Sequence, residues 1–310
     1  MREFDVIRSI SGGLPDAPHE VLVPVGDDCA VLRLGDTIWA AAADMLVYGH
    51  HFKDWASPED VGYKAVAVNV SDVAAMGAEP RFILTSGGAP EAEITHRCFQ
   101  GVMEACGDFG VYPLGGDTTR ADALTVDVAI LGQLEHAPVL RSGARSGDLL
   151  AVTGELGASA AGFLALESGD LDPERLIGKH LRPEPRVQAG KVAARLGAHA
   201  MIDLSDGLAS DVRHICERSD VGCRIDLERL PIAGDTREYL DSLGRSPEFL
   251  AATGGEDYEL LIAAPEPVLV GMAEDLDVPM TIIGEVTGEG VLFVLRGEVM
   301  EDLSGWDHFA

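Results

Sequence analysis

The chain has 310 residues, 46% of them hydrophobic, and a formal net charge of −29 at pH 7. That length buries a substantial core and predicts two domains, and so acidic a balance excludes non-specific nucleic-acid binding, which needs basic patches. With no bilayer-length apolar run, no secretory leader and five cysteines that never form C-x-x-C, the sequence predicts a cytoplasmic protein without a membrane partner, disulfide framework or zinc site.

Strands are predicted at 21–25, 30–34 and 37–47. Within VGDDCAVL (25–32), Gly26 breaks the first run and sets Asp27 beside Asp28. Adjacent side chains on a strand face opposite ways, so both aspartates serve one site only from a loop. A helix follows at about 58–77, opened well by Pro58 and Glu59. Its Val61, Ala65 and Val68 form a stripe, on which Asp72 falls next with Asn69 as a neighbour. A carboxylate on an inward stripe is costly unless paired or metal-bound; the plainer alternative is a bond to a nearby turn. Next come RFILTSGGA, a helix from Pro90 to about Gly107, and VYPLGGDTTR, where Asp117 follows a diglycine at a strand end. ALTVDVAILG puts Leu124, Val126, Val128 and Ile130 on one face, the pattern of a half-buried strand. HAPVLRSGARSGD, rich in Gly, Ser, Arg and Pro, marks a boundary at 136–147 and predicts domains 1–136 and 147–310.

The second half restarts with LLAVTG and a Gly/Ala-rich helix start. Helices are predicted at about 173–181, 186–196 and 207–219, then strands GCRIDL, YELLIAA, MTIIGEV and VLFVL. MIDLSDGLASD (201–211) ends a short strand with Asp203, Ser205 and Asp206 and then enters a helix, which Ser205 would cap on the plainer reading. TGGEDYELLIAA (253–264) again places acids, Glu256 and Asp257, after a diglycine and before a strand. Strands and helices interleave in both halves, which predicts a two-domain α/β or α+β fold.

Each acidic turn alone is common turn chemistry. Together they place carboxylates at glycine-marked strand ends in both halves, with few lysines or histidines nearby. Oxygen ligands of this kind suit a hard cation, and magnesium takes few carboxylates plus substrate phosphates. No P-loop, kinase-type catalytic loop, dinucleotide fingerprint or Ser–His–Asp arrangement stands out.

GDDCAVL, DMLVYGHHF, YKAVAVNVSDVAAMGAEP, GGDTTR, IDLSDGLASD, GGEDYELL and the terminal GWDHF occur in the order seen in thiamine-monophosphate kinases. From about residue 3 to 309 the chain resembles that family, part of the aminoimidazole-ribonucleotide-synthetase superfamily. The resemblance implies ATP-dependent phosphorylation of thiamine monophosphate to thiamine diphosphate by direct transfer, with several magnesium ions bridging the phosphates. It implies magnesium ligands at Asp28, Asp44, Asp72, Asp117, Asp203 and Asp206, and nucleotide contacts at Gly116, Asp117, Arg141 and Ser205. His51, Glu256 and Trp306 correspond to contacts with the thiamine moiety. The family often has two hydroxyl residues before the aspartate of DMLV; here Ala42 and Ala43 leave only backbone carbonyls for the metal. The implied fold pairs an N-terminal α/β domain, dimerising through its sheet into a homodimer, with a C-terminal α/β domain that closes over the nucleotide. No general base is needed, because the acceptor oxygen is already anionic. The alternatives are an aminoimidazole-ribonucleotide-synthetase-like ligase and a non-catalytic nucleotide and metal sensor. Selenophosphate synthetase and the hydrogenase-maturation dehydratase fit less well, since their reactive cysteine positions have no counterpart here.

Overall fold

The computed structural model describes residues 9–300 and 303–305, which form two mixed sheets. The first half runs β1 (Val21–Val23), β2 (Ala30–Leu34), β3 (Thr37–Val47), α1 (Pro58–Ala75), β4 (Glu79–Ala89), α2 (Ala92–Phe109), β5 (Tyr112–Arg120) and β6 (Thr125–Leu134). Its strands lie in the order β1-β2-β3-β6-β4-β5, all antiparallel except the β4–β5 pair. A parallel pair needs a crossover, and α2 supplies it. The alternation of β6 is as expected: Leu124, before the strand, and Val126, Val128 and Ile130 are all buried.

Ser57 caps α1, accepting from the Asp60 amide at 3.1 Å, and Pro58 occupies the first turn. From Val61 to Ala75 every residue is buried except Asp72. The stripe legible in the sequence is thus one side of a helix without a solvent face. Close approach of neighbouring backbones makes this possible. A Cβ on Gly62 would lie 1.9 Å from the Cys98 carbonyl oxygen, and one on Gly190 would lie 1.9 Å from that of Ala74.

The GGD of β5 is not a strand end. Tyr112–Arg120 is one continuous edge strand. Its register with β4 shifts between Ile83 and Leu84, opposite Gly115 at φ +142°. Gly116 then lies so close to β4 that a Cβ would meet the Thr85 carbonyl oxygen at 1.6 Å.

The second half gives β7 (Leu149–Thr153), α3 (Ala158–Ser168), α4 (Glu174–Leu181), α5 (Val187–Leu196), β8 (Ala200–Asp203), α6 (Leu208–Ser219) and β9 (Gly222–Asp226). It continues with α7 (Gly234–Ser242), α8 (Pro247–Thr253), β10 (Leu260–Ala264), α9 (Glu266–Asp275), β11 (Met280–Thr287), β12 (Val291–Leu295) and β13 (Glu298–Met300). The sheet order is β13-β12-β9-β11-β7-β10-β8. Helices α7, α8 and α9 carry no stripe that separates them from loop, and the sequence did not predict them. α1 also packs on the second half, against α5 and β8. The five cysteines are buried free thiols, and among the described residues no helix is long and apolar enough to cross a membrane.

Candidate active site

A cleft of about 760 Å³ opens between the halves, lined by the β1–β2 loop, β3, α1, the 136–147 linker, α3 and the turns at 203–206 and 253–258. Gly26, at φ +124°, turns the β1–β2 loop into it. Asp27 is loop structure: its carboxylate accepts from the Arg141 amide at 3.2 Å and from the Asp28 amide at 3.1 Å. Asp28 faces inward, accepting from Arg141 Nη2 at 2.6 Å and Nε at 3.1 Å through Oδ1. Its buried Oδ2 has no hydrogen-bond partner among the described residues.

Three elements bring carboxylates together here. Asp72 comes from the last third of α1 and Asp203 from the end of β8, and carboxylate oxygens of Asp28, Asp72 and Asp203 all lie within 4.8 Å of one another. Burial, then repulsion from Asp44, Asp203 and Asp28, pushes the Asp72 carboxyl well up. Burial and then the Asp28 charge push Asp203 up to about 8, against the hydroxyl of Ser71, which donates to Oδ2 at 2.6 Å. Burial also raises Asp28, with Arg141 opposing it, and takes Asp27 up to about 6. The end of β3 runs along the cleft, where Ala42, Ala43 and Asp44 all belong to the lining, and the Asp44 amide donates to Asn69 Oδ1 at 3.1 Å.

The turn before α6 contributes Ser205 and Asp206 to the cleft lining. Ser205 is not the helix cap, because Gly207 takes that position without a side-chain bond. The Ser205 carbonyl instead accepts from the Glu256 amide at 2.8 Å, tying this turn to the 253–258 loop. Asp206 has ligand atoms within 4.8 Å of those of Asp211 and His214 on α6. Burial pushes Asp211 well up, and burial followed by the Arg141 charge takes His214 down to about 4.

The far end of the cleft holds His51 and Glu256. Glu256 and Tyr258 both adopt left-handed backbone, at φ +66° and +50°, a conformation that non-glycine residues hold only when their surroundings dictate it. Lys64, buried on α1, pairs with Glu256 Oε1 at 2.9 Å, and His180 Nδ1 lies 3.3 Å from Oε2. Burial opposes the charge of Glu256, yet Lys64 holds its carboxyl below the usual range. His180, taken down to about 3 by burial and Lys64, is neutral at pH 7. Asp257 turns away and accepts from the Gly157 and Ser159 amides, satisfying the start of α3.

Eleven of the residues singled out by sequence thus line one cleft: Asp28, Ala42, Ala43, Asp44, His51, Asp72, Arg141, Asp203, Ser205, Asp206 and Glu256. Gly116 and Asp117 do not, lying on the exposed edge strand β5. Across the sheet, Asp44 opposes Val128, Val128 opposes Thr85, and Thr85 opposes Gly116, so Asp117 is three strands from Asp44. Trp306 lies outside the described residues. Sequence reasoning missed Lys64 and His180, which have no local signal. It also missed Asp211 and His214, whose D-x-x-H spacing on one helix face was available. Two buried carboxylates and a half-buried one, with one oxygen unsatisfied, are costly without a cation, and this oxygen-only donor set fits magnesium.

Residues 26–134 match the family described as AIR synthase related protein, N-terminal domain, and residues 145–296 match its C-terminal domain. The thiamine-monophosphate kinase of Mycobacterium tuberculosis (strain H37Rv) is 39% identical, covering 99% of this chain and 91% of its own. That of Escherichia coli (strain K12) is 38% identical, covering 99% and 98%. A solved structure described as AaThiL complexed with AMPPCP and TMP superposes with TM-score 0.89 at 36% identity, covering 99% of this chain and 97% of that one. Hydrogenase maturation protein HypE, at 21% identity and TM-score 0.71, shares the fold alone. With both domain matches and full-length relatives at this identity, the chain belongs to the AIR synthase related protein family, in its thiamine-monophosphate kinase branch.

Proposed function

We propose that the chain transfers the γ-phosphoryl group of ATP to the phosphate of thiamine monophosphate, giving thiamine diphosphate and ADP. The observation that carries this reading is the group of Asp28, Asp72 and Asp203, drawn from three elements into the cleft that also holds Glu256. Asp28, Asp44, Asp72, Asp203 and Asp206 are the magnesium ligands on this reading, with the carbonyls of Ala42 and Ala43 beside them. Magnesium held by these residues would supply positive charge against the two phosphates whose mutual repulsion is the barrier.

The protein's own groups position the reactants. Arg141 spends Nε and Nη2 on Asp28, and its remaining nitrogen is the donor for a nucleotide phosphate, as is the Ser205 hydroxyl. His51 and Glu256 take the thiamine moiety, and Lys64 fixes the Glu256 carboxylate in its strained loop. Trp306 supplies an aromatic face to the thiazolium cation, a contact of up to about 2 kcal/mol when desolvated. No residue need act as a base, because the acceptor oxygen is ionised near neutral pH.

Gly116 and Asp117 are assigned to the nucleotide, and Asp117 also to magnesium, on motif alone. A homodimer formed through the N-terminal sheet would cover the exposed β5 edge that carries them, with residues 1–136 and 147–310 as the two domains of a cytoplasmic enzyme. The test is ADP release with magnesium, in the presence and absence of thiamine monophosphate. ADP release that depends on thiamine monophosphate supports the kinase; its absence leaves the ligase or the sensor.

A further inference from the structure

Beside the all-carboxylate group lies a second one of different chemistry. Asp211 and His214 stand at i and i+3 on the first two turns of α6, so they share a face. Asp206 lies two residues before the helix and lines the cleft. One donor atom from each lies within 4.8 Å of the other two. Asp211 is 2% exposed, and its Oδ2 has no hydrogen-bond partner among the described residues. A carboxylate oxygen that deep is costly to leave unsatisfied, and it belongs to a residue grouped with a second carboxylate and an imidazole.

We propose that Asp206, Asp211 and His214 form a distinct divalent-cation site that prefers a transition ion such as Mn²⁺ over magnesium. The imidazole makes the difference. Magnesium keeps to oxygen donors, whereas nitrogen ligation favours first-row transition ions. Three equidistant donors about 2.1 Å from one ion are at most about 3.6 Å apart, so atoms within 4.8 Å of one another need approach by no more than about an ångström. Arg141, whose charge reaches His214, opposes a cation there, but its guanidinium is paired with Asp28 at 2.6 Å. Three protein donors would leave coordination positions for water or a further ligand. This goes beyond the proposed function and shares only Asp206 with it.

The test is pulsed electron paramagnetic resonance on the full-length protein with one equivalent of Mn²⁺ in a large excess of magnesium. The expected result is one bound Mn²⁺ whose spin echo carries nitrogen-14 modulation from a directly bonded imidazole. H214Q should remove the modulation and weaken Mn²⁺ at least tenfold, and D211N should weaken it comparably. Wild-type Mn²⁺ without nitrogen modulation, or modulation that survives H214Q, overturns the proposal. If H214Q does not fold, the wild-type spectrum decides alone. Thiamine-monophosphate-dependent ADP release with magnesium alone is scored separately, so failure of the kinase reading is not mistaken for failure of this one.

Discussion

Replacing Asp203 with Asn should stabilise the metal-free chain while removing its activity. The Asp203 carboxyl is raised from an ordinary 3.8 to about 8. Below 3.8 both folded and unfolded chains hold the proton, and the group costs nothing. Between 3.8 and about 8 the unfolded chain releases it and the folded chain does not, so stability falls as pH rises through that window. At about 1.4 kcal/mol per pH unit, the penalty at pH 7 has a ceiling of about 4 kcal/mol. Asp28 and Asp72 share one repulsive cluster with it, so the expected gain for D203N is about 1–4 kcal/mol. Asn keeps an oxygen to accept the Ser71 hydroxyl, which lies 2.6 Å from the carboxylate. Urea unfolding in chelator at pH 5, 6, 7 and 8 measures the gap, which should widen with pH. Magnesium with a non-hydrolysable ATP analogue should then reverse the ranking, because only the wild type gains ligand linkage. A D203N chain less stable than wild type in chelator at pH 7, or a gap that ignores pH, refutes the reasoning.

K64M strands the Glu256 carboxylate and should cost about 3 kcal/mol, the low end for a broken buried pair because Glu256 is 28% exposed. Adding E256Q should recover most of that loss in a double-mutant cycle measured by urea unfolding. D72N should cut turnover at limiting magnesium by at least about a hundredfold with little change in the far-ultraviolet circular dichroism, so near-normal turnover would remove Asp72 from the metal site. G116A places a methyl 1.6 Å from the Thr85 oxygen and should cost about 3 kcal/mol, with faster hydrogen exchange along β4 and β5. Initial rates should give intersecting lines, and γ-labelled ATP without acceptor should leave the protein unlabelled; a labelled protein means a phosphoenzyme.

Local pattern carried much of this structure. β6 could be read from alternation alone, and α1 from its cap and first-turn proline. The acidic turns were legible because each pairs a carboxylate with a glycine break, and most of them meet in the cleft. What stayed hidden depends on distant partners. Ser71 and Asp203 are 132 residues apart, and no periodicity in α1 announces that its far side rests on the second sheet. Lys64 reads as an ordinary helix lysine until the 253–258 loop arrives above it. The diglycine of β5 reads as turn chemistry because a bulge and a close strand contact use the same residue.

A helix with no solvent face has a history during synthesis. α1 is complete once residue 75 has left the ribosome, yet Ala74 meets Gly190, and Ser71 meets Asp203, only after β8 has followed. At bacterial or eukaryotic translation rates that interval is on the order of ten seconds. Through it the nascent first half carries an uncovered, glycine- and alanine-lined flank. The halves are therefore interdependent as folding units, and a gene fragment ending in the linker would encode a protein whose central helix lacks the packing of α5 and β8.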